Sequence, residues 1–184
     1  MDYRKIIDKY YKEEGLKELL LLHSGKVRDK ALEIARRKME AKPGLELDLD
    51  FIEEAAMLHD IGIVECNAPS ILCTGQLHYL CHGLAGACML RAEGLFRHAL
   101  VCERHTGAGL TREEIVDGKM PLPAMEMLPV TPEEKIICYA DKFYSKSGDP
   151  AREKSLEQVR RSMAKFGEEV MKRFEELHEY CNPL

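Results

Sequence analysis

Apolar residues recur along this chain at steps of three and four, with charged residues filling the positions between them. Residues so spaced share one face of an α-helix, so the pattern predicts helices with buried stripes. A short helix is expected over residues 3–12, ended near Gly15, followed by an apolar turn over 16–22, LKELLLL. After His23 and Ser24, the run GKVRDKALEIARRKME carries Val27, Ala31, Ile34 and Ala35 on one stripe. Ser24 is a plausible N-cap for it, which puts His23 at a helix start beside a buried face. Pro43-Gly44 breaks the chain. LDLDFIEEAAMLHDIG is the next helix, with Asp48 or Asp50 as start signal and Leu49, Ile52, Ala56 and His59 on one stripe.

Residues 65–76, with Pro69 and Gly75, read as a loop. LHYLCHGLAGACMLRAEG reads as a helix with His78 and His82 on one face, its Gly83 and Gly86 permitting close helix packing. LFRHALVCERHTGAG is another helix, carrying His98 and ending at His105. Residues 107–130, rich in Gly, Pro and Met, read as irregular. Thr131-Pro132-Glu133-Glu134 is a helix start, with Thr131 as N-cap and Pro132 in the first turn. The helix it opens turns Ile136, Ile137, Ala140 and Phe143 inward, with Asp141 beside that stripe. After Asp149-Pro150, one long helix over 151–180 is expected, with Val159, Met163, Phe166, Val170, Phe174 and Leu177 forming core packing or a homodimer surface. No strand signal or repeat of weight is present, so the fold class is all-α, a single domain over residues 1–184.

Composition narrows the function classes. The apolar fraction of 45% allows a full core, and a net charge of −5 gives no general attraction for nucleic acid or anionic membrane. The absence of Trp argues against base-stacking platforms. Seven Cys, none in a CxxC pair, read as small apolar residues of a reducing compartment. No apolar run approaches the length of a membrane span, and a cytoplasmic location is expected.

The candidate chemistry starts at AMLHDIGIVE, residues 56–65, where His59 and Asp60 stand side by side. Taken alone, such a pair can be a helix-end carboxylate orienting an imidazole, His23 a junction histidine, and His105 a helix cap. Taken together, His23, His59, Asp60, His82, His105 and Asp141 are polar residues on or near core faces of five helical segments. Unpaired polar groups are costly there, and five converging segments fit a bundle that builds a metal site in its interior.

The stretches LLHSGKVRDKALEIA, AAMLHDIGI, HGLAGACML, ERHTG and YADKF have the order H…HD…H…H…D. That order resembles the HD superfamily of metal-dependent phosphohydrolases, over roughly residues 20–145. The resemblance implies an HD-domain helical bundle in which His23, His59, Asp60 and Asp141 ligate a first metal. It assigns His82 and His105 to a second metal, with Asp60 bridging and central to catalysis. Mixed imidazole–carboxylate sites suit Fe, Mn, Zn, Co or Ni rather than Ca. Two such cations can activate a bridging water and neutralise phosphoryl oxygens.

The implied activity is hydrolysis of a small phosphate ester or anhydride, a nucleotide in the first place, and not of a nucleic acid. Lys142, beside Asp141, is a candidate catalytic group and phosphate contact, and Arg104, beside His105, is a substrate-binding candidate. Two departures matter. Ile63 stands where many relatives carry a lysine after HDIG, which weakens carry-over of that lysine, and neither a second histidine beside His105 nor a GYP-type motif occurs, so a cyclic-dinucleotide enzyme is not expected. The arrangement is more similar to small stand-alone members, the two-metal diadenosine tetraphosphatases and the one-metal deoxynucleotidases. Alternatives are a catalytically silent nucleotide or metal sensor and a di-iron oxygenase of the same superfamily.

Overall fold

The helix starts follow local chemistry. Asp48 accepts from the Phe51 N–H and opens α3 (Leu49–Leu58), and Thr131 accepts from the Glu134 N–H and opens α7 (Pro132–Asp141). A computed structural model describes residues 1–182 of the chain, and these are mostly helical. The remaining helices are α1 (Tyr3–Tyr10), α2 (Glu14–Ala41), α4 (His82–Ala92), α5 (Phe96–Arg104), α6 (Arg112–Asp117), α8 (Leu156–Met163) and α9 (Glu168–Cys181).

The architecture is the expected all-α bundle, with several local corrections. Residues 14–41 form one helix, so Ser24 is not a cap and His23 lies in mid-helix. The buried residues Leu16, Leu20, His23, Val27, Ala31 and Ala35 form one unbroken stripe. His23 fills the position where the sequence pattern lapses. His78 does not share a helix face with His82. It is exposed, and its Nδ1 accepts from the Leu80 N–H at 3.2 Å, capping a short turn that ends where α4 begins. The 65–76 loop contains a small antiparallel ribbon, Asn67–Ala68 (β1) with Cys73–Thr74 (β2), so the structure is not wholly without strands. The stretch read as irregular contains α6, opened by a reciprocal capping box between Thr111 and Glu114.

The C-terminal stripe is also interrupted. Gly167, at φ +108°, takes a backbone conformation that side chains strongly disfavour and separates α8 from α9. Phe166 is consequently 68% exposed instead of buried, while Val159, Met163, Val170, Phe174 and Leu177 pack inward as their spacing predicts.

Two apolar clusters make the core. One gathers Val27, Ala31, Ile52, Ala56, Ile137 and Ala140 under α8 and α9, and the other gathers Leu20, Leu58, Ile61, Ala87, Leu90 and Ala99 under α1. The seam between them passes through the candidate residues. His23 lies between Leu20 and Val27, and His59 follows Leu58. The polar centre is therefore built where two dry cores meet. No helix among the described residues is long and apolar enough to cross a membrane.

Candidate metal centre

Five segments each deliver their ligands from a defined position. His23 comes from the middle of α2, His59 from the C-cap of α3, and Asp60 from the turn that follows. His82 is the first residue of α4, His105 the C-cap of α5, and Asp141 the last residue of α7. Two glycines allow this approach. A Cβ on Gly62 would overlap the His82 carbonyl oxygen and the Gly86 nitrogen, and one on Gly83 would overlap the Cys102 carbonyl oxygen. The turn carrying Asp60 thus packs directly on α4, and α4 on α5, which draws His82 and His105 to the same carboxylate.

All six expected residues are buried, and the structure brings them together. His23 Nε2 lies 3.1 Å from Asp60 Oδ2 and 3.1 Å from Asp141 Oδ1. His59 Nε2 lies 3.1 Å from Asp60 Oδ2 and 3.3 Å from Asp141 Oδ1. On the other side of the same carboxylate, His82 Nε2 and His105 Nε2 stand 3.5 and 3.3 Å from Asp60 Oδ1. Two groups result, His23–His59–Asp60–Asp141 and Asp60–His82–His105. In each, one ligand atom per residue lies within 4.8 Å of every other, so either could hold a metal ion.

The tautomers support that reading. The Nδ1 of His59 lies 2.7 Å from the Ala56 carbonyl, that of His82 2.7 Å from the Tyr79 carbonyl, and that of His105 2.8 Å from the Cys102 carbonyl. A carbonyl only accepts, so each Nδ1 carries a proton and each Nε2 faces the centre, as a lone pair in the neutral rings of His82 and His105. His82 Nε2 and His105 Nε2 then face each other at 3.1 Å with no proton to share. Two opposed lone pairs at that distance call for a cation. Both oxygens of Asp60 are buried and lack a hydrogen bond of good geometry among the described residues, although the Lys146 ammonium stands 2.6 Å from Oδ2. Buried polar atoms are rarely left so, and divalent cations would meet this need.

The electrostatics agree. Burial pushes the His59 imidazole down, but Asp60 and Asp141 outweigh it and raise it to about 9. Burial takes His82 down to about 3 and lowers His105 as well. Both are therefore neutral at pH 7 and fit to ligate. Burial opposes ionisation of Asp60 and Asp141, yet Lys146 and His59 hold the first well below the usual carboxylate range, and Lys142 and His23 hold the second there. The centre thus keeps two ionised carboxylates, one cationic imidazole on the Oδ2 side of Asp60 and two neutral ones on the Oδ1 side.

Beside the centre opens a cavity of about 380 Å³, whose lining includes Asp141, Lys142, Lys146, Lys154 and Tyr79. Lys142 Nζ pairs with Asp141 Oδ2 at 2.7 Å and donates to the His105 carbonyl at 2.8 Å, so the expected lysine stands against both metal groups. Arg104 instead holds Glu134, at 3.0 and 3.1 Å. Sequence reasoning missed Lys146, whose Nζ lies 2.6 Å from Asp60 Oδ2, and Lys154. The sequence pattern runs the Thr131 helix on to Lys146 and puts Lys154 in the helix expected over 151–180, whereas α7 ends at Asp141 and α8 begins at Leu156, so both lysines lie on the connecting segment. The one available signal was that Lys146 lies five residues beyond Asp141. His98, set aside in the sequence, stays outside the centre against Phe51 and Glu54.

Comparison with known proteins now decides the family. The HD domain family matches residues 20–146. The chain belongs to it. An uncharacterised protein of Methanocaldococcus jannaschii is 38% identical over 101 residues, covering 54% of this chain and 52% of its own length. A tRNA (cytidine(56)-2′-O)-methyltransferase of Thermoplasma volcanium is 31% identical over 185 aligned positions, covering 100% of this chain and 47% of its own. One of the same name from Picrophilus torridus is 33% identical over 135, covering 73% and 34%. The chain thus spans about half the length, or less, of these curated relatives. No solved structure matches it significantly. The methyl transfer in two of those names belongs to proteins much longer than the matched part. What the HD match covers in this chain is the metal centre, with its histidines and aspartates in place.

Proposed function

We propose that this HD domain is a metal-dependent phosphohydrolase acting on a free, small phosphorylated molecule of nucleotide size. The observation that carries the reading is the convergence of six ligands, with Nε2 lone pairs of His82 and His105 facing each other across Asp60. His23, His59, Asp60 and Asp141 would hold one divalent cation, and His82 and His105 a second, with Asp60 shared. Imidazoles and carboxylates together favour Fe, Mn, Zn, Co or Ni. Metal bound there supplies Lewis acidity to phosphoryl oxygens and acidifies water.

The chain's own groups prepare that chemistry. The Ala56, Tyr79 and Cys102 carbonyls keep three imidazoles in the ligating tautomer. Asp60 and Asp141 stay ionised, while Lys142 and Lys146 add positive charge at the cavity wall. Two divalent cations against two carboxylates leave a local charge of about +2, enough to attract phosphate to an acidic protein. The cavity, about 380 Å³, is in the range of small-molecule sites, about 300–1,000 Å³.

The test is metal analysis of protein purified without added metal, followed by a phosphate-release screen over nucleotides and other small phosphates. We expect metal near two equivalents and metal-dependent release. His59→Ala and Asp60→Ala should each lose both while far-ultraviolet circular dichroism stays helical. Tight nucleotide binding without release, with each of Mn, Fe, Co, Ni and Zn supplied in turn, would replace the hydrolase by a sensor. Oxygen uptake with an organophosphonate or polyol would replace it by an oxygenase.

A further inference from the structure

Three lysines line the cavity beside the centre, and they are not equivalent. Lys142 is committed to Asp141 and Lys146 to Asp60, at 2.7 and 2.6 Å. Lys154 is half-buried and has no carboxylate at ion-pair distance among the described residues. Its position is fixed by the backbone, where its N–H donates to the Phe143 carbonyl at 2.8 Å, two residues beyond Asp141. Sinking an ammonium into a wall already holding two others costs free energy unless an anion meets it. Of the residues lining the cavity, Asp141 is the sole acid, and it already faces His23, His59 and Lys142. Within this cavity no carboxylate is left for Lys154, so an anion entering it would find that ammonium without an ion-pair partner among the described residues.

We propose that Lys154 holds a second phosphate, so that the substrate is a phosphate anhydride, a diphosphate or longer, rather than a phosphate monoester. This rests on the phosphohydrolase reading, in which the phosphoryl group under attack lies at the centre. A monoester presents one phosphoryl group, for which the centre with Lys142 and Lys146 suffices. A diphosphate places its next phosphoryl group one bridging oxygen away, within the same cavity, and there the unpaired Lys154 neutralises it. Hydrolysis of the anhydride breaks one P–O bond, and water supplies the oxygen and protons, so no co-reactant is needed. Lys154 contacts the phosphate that is not attacked and so acts as a specificity residue.

The experiment compares binding of methylenediphosphonate, which cannot be hydrolysed at its P–C–P link, with binding of methylphosphonate. Calorimetry is done on protein carrying its purified metal, with metal content checked before and after. Wild type should bind the diphosphonate at least about tenfold more tightly. Lys154→Ala should lose most of that preference, keep methylphosphonate affinity within about twofold and melt at an unchanged temperature. Lys154→Arg should retain the preference. If methylphosphonate binds in a way that His59→Ala removes, but wild type shows no preference or Lys154→Ala leaves it intact, the anhydride proposal is overturned and the phosphohydrolase reading stands. Binding of neither ligand would overturn both.

Discussion

The metal centre and the lysine wall beside it meet at Asp60 and Asp141, yet they are built on opposite terms. In the centre each histidine is fixed twice, once by its place in or at the end of a helix and once by a backbone carbonyl or a facing carboxylate. Its ligands come from helix interiors and helix ends set at the seam of two apolar clusters. The wall is carried by a single segment after α7, closed by a backbone bond from Lys154 to Phe143 and pinned to α2 by the Glu153–Lys30 ion pair at 2.6 Å. A rigid centre can prefer one coordination chemistry, whereas in the wall Lys142 and Lys146 touch Asp141 and Asp60 and only Lys154 can change without reaching the ligands. Under the proposed function this is a division of labour, with reaction type assigned to the centre and substrate choice to Lys154 in the wall.

The deepest break in that comparison is inside the centre. His82→Ala with His105→Ala removes the ligands on the Oδ1 side of Asp60 and leaves the other four in place. Metal content should fall from about two to about one per chain, and hydrolysis by orders of magnitude, since one Lewis acid is lost. Unchanged content and rate would reduce the centre to a single metal held by His23, His59, Asp60 and Asp141.

Lys146 joins the two regions, so changing it should separate them. Its ammonium stands 2.6 Å from Asp60 Oδ2 and competes with any cation for that oxygen. Lys146→Met should tighten metal binding in a competition titration while weakening phosphate binding by about tenfold, the size of one charge-assisted hydrogen bond. Loss of metal in this variant would show that Lys146 supports the centre and does not compete with it.

The two regions were also unequally legible. Each ligand left a trace in the sequence, because a histidine or aspartate on an apolar stripe is an anomaly that needs a partner. His59, His105 and Asp141 fell where helix periodicity put them, and Gly83 and Gly86 announced the close approach of α4. His23 lies in the cluster as expected but in mid-helix and not at a helix start, because a polar residue in the stripe looks like a break in it. Lys146 and Lys154 left no such anomaly. A lysine at a helix end or in a helix's first turn is ordinary surface composition, and only the early end of α7 and the late start of α8 leave both on a segment that turns toward the cavity. The pairing of β1 with β2 and the break at Gly167 were lost for a related reason, since two-residue strands and a single backbone dihedral carry no periodicity.

The smallest expected effect asks how far the centre's demands extend along α2. Ser24 adjoins His23, is fully buried, and its hydroxyl has no hydrogen-bond partner among the described residues. His23 Nδ1 is similarly unpartnered, unlike the Nδ1 of the other three histidine ligands. If Ser24 is only a passenger on a buried stripe, Ser24→Ala removes an unsatisfied group and adds helix propensity. Stability should then rise by up to about 1 kcal/mol, which for a chain of this size is an increase in Tm of about 2–4 °C. Metal content and phosphate release should not change. A fall in Tm accompanied by lost metal would instead show that the hydroxyl serves the centre through His23. The centre would then extend one residue further into the core, while the wall still hangs on a single loop.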